Sequence, residues 1–549
     1  MYEENFHLTS KLNPYKQGEP SLNVFDAVII GAGFSGMYML YRLLKLKLNV
    51  IVLEEASDVG GTWYWNRYPG AQCDGESIEY SYSFSEELEQ EWEWTHRYST
   101  QPQILEYANH VADRFNLRKH INFNTRVTSA QYNDKLKNWK IKANTDTYIA
   151  HYCIMATGSI SSPNKPNFKG LDSFQGQWYL TGRWPKNEVD FIGKRVGIIG
   201  TGSSAVQAIP VIAQQAKHLT VFQRTANYSL PAHNRLLGKE EIKSVKANYS
   251  TIRAKARNNR GGAAGTVVGN KSALEVTAKE REGAFEIQWN EGGLGITSVF
   301  NDILADKKAN ITAANFVKSK IHQMVGDPIT AELLSPKNII GCKRVCVDTD
   351  YYITYNRNNV DLIDINVDPI ETIIPNGIKT SHNIFDLDII VFAIGYDALT
   401  GALLAIDIRG KDNKSLKEKW THGPRTYLGL SSEGFPNMFT ITGPGSPSVL
   451  TNMMTSIEQH VDWIAECIKF LNQSGKMEFE ASIEAENKWV QHVEEIAQGT
   501  LRYSCNSWYL GSNVPGKPRV FIPYAGGVPT YAEKCYTIAQ NGYQGFVIT

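Results

Sequence analysis

Two glycine-rich turns, each set between an apolar run and a helical stretch, constrain this chain more than any other feature. Gly31-Ala32-Gly33-Phe34-Ser35-Gly36 follows Ala27-Val28-Ile29-Ile30; a helical stretch from Met37 to Leu46 and a second apolar run, Val50 to Glu54, come after it. The same order recurs at Arg195-Val196-Gly197-Ile198-Ile199, Gly200-Thr201-Gly202-Ser203-Ser204-Ala205, a helix through about Gln215, and Leu219-Thr220-Val221-Phe222. Continuous β-branched runs suit parallel strands buried on both faces. The expected fold class is therefore α/β, with two Rossmann-like dinucleotide-binding domains.

At 549 residues the chain exceeds what one hydrophobic core serves. The expected order is residues 1–155 as the first part of the first nucleotide domain and 156–231 as the first part of the second. Residues 232–341, rich in Lys, Asn and Ala, read as a helical insertion in that second domain. Residues 342–394 return to it, with Asp388 to Ile394 its strongest later strand, and 395–549 return to the first domain. Helices are expected at Glu240–Ala247, Ile311–Met324, Thr455–Phe470 and Ile483–Ala497, and residues 1–24 read as a polar surface arm.

Lys plus Arg and Asp plus Glu balance at 56 each, so no global charge points to nucleic acid or a membrane surface. No apolar stretch approaches the roughly 20 residues a bilayer span needs, and no signal peptide is visible. The seven cysteines (Cys73, Cys153, Cys342, Cys346, Cys467, Cys505 and Cys535) are odd in number, scattered and without a Cys-x-x-Cys. They read as free thiols in a reducing compartment, and against a zinc site or any other metal site. The expectation is a soluble cytoplasmic protein, a monomer or weak homo-oligomer.

Each residue of the first turn has a task. Gly31 makes the tight turn, Gly33 lets the backbone approach a pyrophosphate, and Gly36 lets helix pack on strand. The pyrophosphate then meets the helix N-terminus. Glu54, ending the next strand, can accept from an adenosine ribose and would repel a 2′-phosphate, so FAD or NAD is expected here. In the second turn Ala205 takes the third glycine's place, and the strand after it ends in Gln223-Arg224-Thr225. Guanidinium matches a 2′-phosphate in charge and geometry, which favours NADPH over NADH. Two dinucleotides on one polypeptide imply electron transfer between cofactors.

Glu54, followed by Asp58-Val59-Gly60-Gly61-Thr62-Trp63, resembles the FAD site of flavin monooxygenases. Between the two turns lies Phe174-Gln175-Gly176-Gln177-Trp178-Tyr179-Leu180-Thr181-Gly182-Arg183-Trp184-Pro185. Phe174, Gly176, Trp184 and Pro185 resemble the linker motif Phe-x-Gly-x-x-x-His-x-x-x-Trp-Pro/Asp of type I Baeyer–Villiger monooxygenases, with Leu180 where the family has histidine. Asn66-Arg67-Tyr68-Pro69-Gly70-Ala71, Gly341-Cys342-Lys343-Arg344, Gly443-Pro444-Gly445-Ser446-Pro447-Ser448 and Ser507-Trp508-Tyr509 are most similar to the phenylacetone monooxygenase group.

The resemblance implies FAD and NADPH as cofactors, and a ketone and O2 as small-molecule partners. It implies conversion of the ketone to an ester or lactone through a C4a-peroxyflavin stabilised by Arg344, with Asp74 orienting that arginine. It carries the FAD contacts to Gly31, Gly33, Ser35, Gly36, Glu54, Gly61, Thr62, Trp63, Asp74, Tyr80 and Val127. The NADP contacts fall on Gly200, Gly202, Ser203, Ser204, Gln207, Arg224, Thr225, Lys343, Arg344 and Trp508. Gln72 stands where relatives tend to have arginine. Residues Gly443 to Met453 tilt the substrate toward aryl, longer aliphatic or bulky cyclic ketones. The alternatives are sulfide or amine oxygenation, or an uncoupled NADPH oxidase that releases hydrogen peroxide.

Overall fold

A computed structural model describes residues 23–265 and 268–549. The strand before the first turn runs Asn23–Ile30, longer at its start than expected. Residues 23–24 therefore pair in a sheet, and the rest of the proposed arm, 1–22, lies outside the described residues. Asn23–Ile30 pairs in parallel with Val50–Leu53 on one side and with Asp146–Met155 on the other. An antiparallel meander, Val127–Asn133, Asn138–Ala143 and Asp146–Met155, continues the sheet. Ile121–Asn122 pairs in parallel with Val50–Leu53 at one edge, and two distant strands join the sheet: Asp407–Arg409 pairs with Val127–Asn133, and Met438–Thr440 with the end of Asp146–Met155.

The second sheet is parallel throughout, in the order Val360–Asp364, His218–Gln223, Arg195–Ile199, Ile389–Phe392, Gln177–Leu180. Ile199, Phe222 and Phe392 lie in one buried cluster, and Leu180 packs onto its edge. That contact explains how leucine sits comfortably in the linker: its strand register sets it beside Phe392.

The region expected to be helical holds Lys239–Asn258, Ala278–Glu291, Lys307–Met324 and Pro328–Leu334. Ala278–Glu291 was not among the expected helices, because it buries only Phe285 and Trp289, one turn apart. The last three pack on the same core as the second glycine helix, Ser203–Gln215, whereas Lys239–Asn258 lies against the first-domain side, where its Arg253 pairs with Glu89. Met453–Ser474 lies against the first glycine helix, Phe34–Lys45, and the two share another core with Trp489 of Ile483–Gln498. Among the described residues no helix is long and apolar enough to cross a membrane.

The cysteine reading needs a correction. Cys342 and Cys505 are joined as a disulfide; Cys73, Cys153, Cys346, Cys467 and Cys535 are free and buried. The pair is separated by 163 residues and brought together only by the tertiary fold, which spacing along the chain does not register.

Candidate active site

Both glycine helices begin without a side-chain cap, at Gly33 and at Gly202, and neither has an acidic residue in its first turn. Their first N–H groups and the helix dipole are thus presented to an anion. Gly33 faces Gly61 so closely that a Cβ on Gly61 would stand 2.9 Å from the Gly33 Cα. Two backbone segments without side chains make a narrow cradle, which fits a pyrophosphate. Ser35 lies buried in the first helix and Trp63 in the short helix Thr62–Trp65, at whose start Thr62 is half-buried. Trp63 Nε1 donates to Tyr80 Oη at 3.0 Å. Val127 opens the meander, and its side chain is buried.

Glu54 is buried, and its carboxylate accepts from Ala32 N at 2.5 Å and Ala56 N at 2.7 Å. Burial pushes its carboxyl up, against the pull of these two N–H donors. A carboxylate has about four lone-pair sites, so acceptor capacity remains for a ribose hydroxyl.

At the second turn Ser203 Oγ lies 3.3 Å from Cys346 Sγ, and Thr201 Oγ1 donates to the Thr225 carbonyl. Arg224 and Thr225 are exposed. Lys343 is pushed below the usual lysine range, first by burial and then by repulsion from Arg224. Among the described residues neither cation has a carboxylate within ion-pair distance. Two adjacent positive charges without a carboxylate suit the 2′-phosphate of NADP.

The domains meet around Asp74. Its carboxylate accepts from Arg344 Nε at 3.1 Å through Oδ2, and from Gln207 Nε2 at 3.4 Å through Oδ1. Arg344 Nη1 also donates to the Val449 carbonyl at 3.0 Å. Burial works against the guanidinium charge, but Asp74, with Tyr509 and Cys346 beside it, outweighs burial and Arg344 is held above its usual range. Arg344 stands just before the strand Cys346–Asp348, which pairs with Ser229–Pro231, and Asn227 Nδ2 donates to the Arg344 carbonyl.

Gln207, expected at the cofactor, is used by the protein itself. Its Oε1 accepts from Tyr68 Oη at 2.8 Å and from Gln72 N, and its Nε2 also donates to the Gln72 carbonyl. It braces the second glycine helix against the loop that carries Asp74. The linker performs a matching task. Its strand belongs to the second sheet, while Arg183 stacks over the Trp65 ring at 4.1 Å and Trp184 N donates to the Trp65 carbonyl. Trp508 opens a short 3₁₀ turn, its ring 4.4 Å from that of Tyr509. Asn227 lies in no motif the sequence offers and acts on the site through the Arg344 carbonyl. Tyr68 and Val449 lie in segments the resemblance marks, Asn66–Ala71 and Gly443–Met453, but spacing does not give their contacts with Gln207 and Arg344.

Comparison with known proteins fits this geometry. The family model described as pyridine nucleotide-disulphide oxidoreductase matches residues 28–260. A Baeyer–Villiger monooxygenase of Pseudooceanicola batsensis is 42% identical over 95% of this chain and 96% of its own. The chain belongs to the Baeyer–Villiger monooxygenases. Another relative of this monooxygenase, the 2-oxo-Δ(3)-4,5,5-trimethylcyclopentenylacetyl-CoA monooxygenase of Pseudomonas putida, is 40% identical over 95% of this chain and 98% of its own. A solved structure of oxidized steroid monooxygenase bound to NADP superposes with a TM-score of 0.92 at 49% identity, covering 96% of this chain and 99% of that one.

Proposed function

We propose that this Baeyer–Villiger monooxygenase uses FAD on the first glycine turn and NADPH on the second, with Arg344 as the cation at the reacting oxygen. The bound cofactors supply the electrons and the activated oxygen. The protein supplies position and charge. Arg344 stays cationic at any working pH and offers further N–H donors beyond those given to Asp74 and Val449. It stabilises negative charge on oxygen as a ketone carbonyl is attacked, the kind of fixed electrostatic help that dominates many active sites. Asp74 fixes the guanidinium plane and moves no proton. Lys343 and Arg224 hold the 2′-phosphate, and Trp508 covers the bound nucleotide.

The observation that carries this reading is the Arg344–Asp74 pair, tied to the second glycine helix through Gln207 and to the 443–453 loop through Val449. That loop, together with the steroid-acting neighbour, supports bulky cyclic, aryl or longer aliphatic ketones as substrates. Arg344→Ala tests the reading. Ester formation is expected to fall by about 10²–10³-fold, while bleaching of the flavin by NADPH continues. Ester formed at the parental rate would remove Arg344 from the chemistry.

A further inference from the structure

We propose that Cys342 and Cys505 form a reversible thiol–disulfide latch that holds the Trp508 segment down on the Arg344 loop. The inference rests on the roles assigned above to Arg344 and Trp508. Cys342 lies two residues before Arg344, and Cys505 three residues before Trp508. One cysteine follows the inserted helices and the other follows the helix Ile483–Gln498, so the bond ties two separately packed parts of the chain together. Between Thr500 and Cys505 two hydrogen bonds make the same crossing: Leu501 N donates to the Leu304 carbonyl and Arg502 Nη1 to the Gly341 carbonyl. Both can exchange with water; the sulfur–sulfur bond cannot. With the thiols reduced, the segment can lift and release the oxidised nucleotide. With them oxidised, it stays closed.

The two sulfurs differ in access. Cys342 is buried and Cys505 half-buried, with exposed neighbours Ser504 and Asn506. Cys505 is therefore the thiol that meets a peroxide first. Its thiolate attacks one oxygen of hydrogen peroxide, the O–O bond breaks, and hydroxide leaves and is protonated to water, giving the sulfenic acid. The Cys342 thiolate then attacks that sulfur and expels a second hydroxide, which leaves as water. In balance, two thiols and one hydrogen peroxide give one disulfide and two waters. A small thiol reductant reverses it by exchange, two of its thiols becoming a disulfide. The other five cysteines are buried, and burial pushes the thiols of Cys73, Cys346 and Cys535 up to about 12, which keeps them out of this chemistry.

The test uses the FAD-loaded full chain, treated with hydrogen peroxide or with dithiothreitol, alkylated, and mapped as peptides without reduction. Turnover with NADPH and phenylacetone, NADP+ release and hydrogen peroxide formed per NADPH are measured on the same samples. The expected result is a Cys342–Cys505 cross-linked peptide in the oxidised sample alone. NADP+ release and kcat should fall by about threefold or more, as in enzymes limited by opening of a cover. Less peroxide should form per NADPH, and all changes should reverse with dithiothreitol. Cys505→Ser and Cys342→Ser should each lose the response to both reagents. Absence of the cross-linked peptide, a cross-link with unchanged NADP+ release, or a response that survives in Cys505→Ser would overturn the latch. Normal ester formation in Arg344→Ala would instead remove the role of Arg344, while peptide map and NADP+ release still report on the latch.

Discussion

At the first glycine turn a Cβ on Gly36 would stand 1.8 Å from the Gly31 carbonyl oxygen, whereas at the second a Cβ on Gly202 would meet nothing within 4 Å. Both turns share the strand-end glycine with positive φ, Gly31 at 105° and Gly200 at 114°, each pressed against a carbonyl of the adjoining strand's end. They part beyond it. The first is closed over by its own chain, with Gly61 against Gly33 and a buried acid, Glu54, tied to backbone N–H groups. The second is open and faces cations. A site built into the packing suits a resident cofactor, and an open one suits a nucleotide that comes and goes.

The comparison breaks most clearly through glycine. Gly36→Ala drives a methyl into backbone that cannot yield, at a cost on the order of 3 kcal/mol or more. Flavin content of the purified protein should fall to near zero and the melting temperature with it. Gly202→Ala, at an extended φ of −83° and in open space, should change stability by less than about 0.5 kcal/mol. Its methyl would still face the NADPH pyrophosphate, so it should raise the KM for NADPH. Equal flavin loss in both variants would erase the distinction between the two turns.

Acid sharpens the same contrast. On the side of the first sheet, burial pushes His460 down to about 3 and His151 down to about 4. Both stay neutral in the folded protein while the unfolded chain takes up protons. Their stabilising share is complete above pH 6.5 and is lost as pH falls through 6.5 toward those values. Near the second turn, burial pushes Asp348 up to about 6, where Ser229 and Tyr351 N hydrogen-bond it. Its penalty is complete above pH 6 and fades as pH falls below it. Between pH 7.5 and pH 5, His460→Asn, which keeps an acceptor for Thr442 N, should lose about 2 kcal/mol less stability than the parent. Asp348→Asn should be favoured at pH 7.5 by about 1 kcal/mol more than at pH 5. Urea unfolding at both pH values checks this, and parallel curves for parent and variants would sink it.

What could be read from the chain alone divides along physical lines. The turns, their strands and the acid-versus-arginine difference are local, because a strand, a glycine turn and a helix N-terminus are set within about thirty residues. Arg344 and Asp74, 270 residues apart, were paired only through the family resemblance, and the fold brings them to 3.1 Å. What lay out of reach was made by tertiary contact: the brace at Gln207, the Val449 carbonyl on Arg344, and the Cys342–Cys505 bond that reversed the reading of free thiols. Glutamine, a backbone carbonyl and an unpatterned cysteine carry no spacing that signals a partner. Leu180 is the opposite case, a departure from the family pattern whose packing beside Phe392 accounts for it.

The most local of the expected effects falls on the charge difference itself. Arg224 is exposed, and its repulsion of Lys343 adds to the burial that lowers the lysine. A 2′-phosphate between them relieves that repulsion and takes hydrogen bonds from both, each worth about 1.5–3 kcal/mol when charge-assisted. Arg224→Ala removes one donor and frees Lys343 from its competitor, so part of the loss is recovered. The KM for NADPH should rise about tenfold, equivalent to about 1.4 kcal/mol, with the KM for NADH unchanged and kcat unaltered. Preference for NADPH over NADH then falls by the same factor. Steady-state kinetics with both nucleotides decide it: an unchanged preference would mean that Lys343 alone reads the phosphate, and that the arginine ending the second strand does not set the two turns apart.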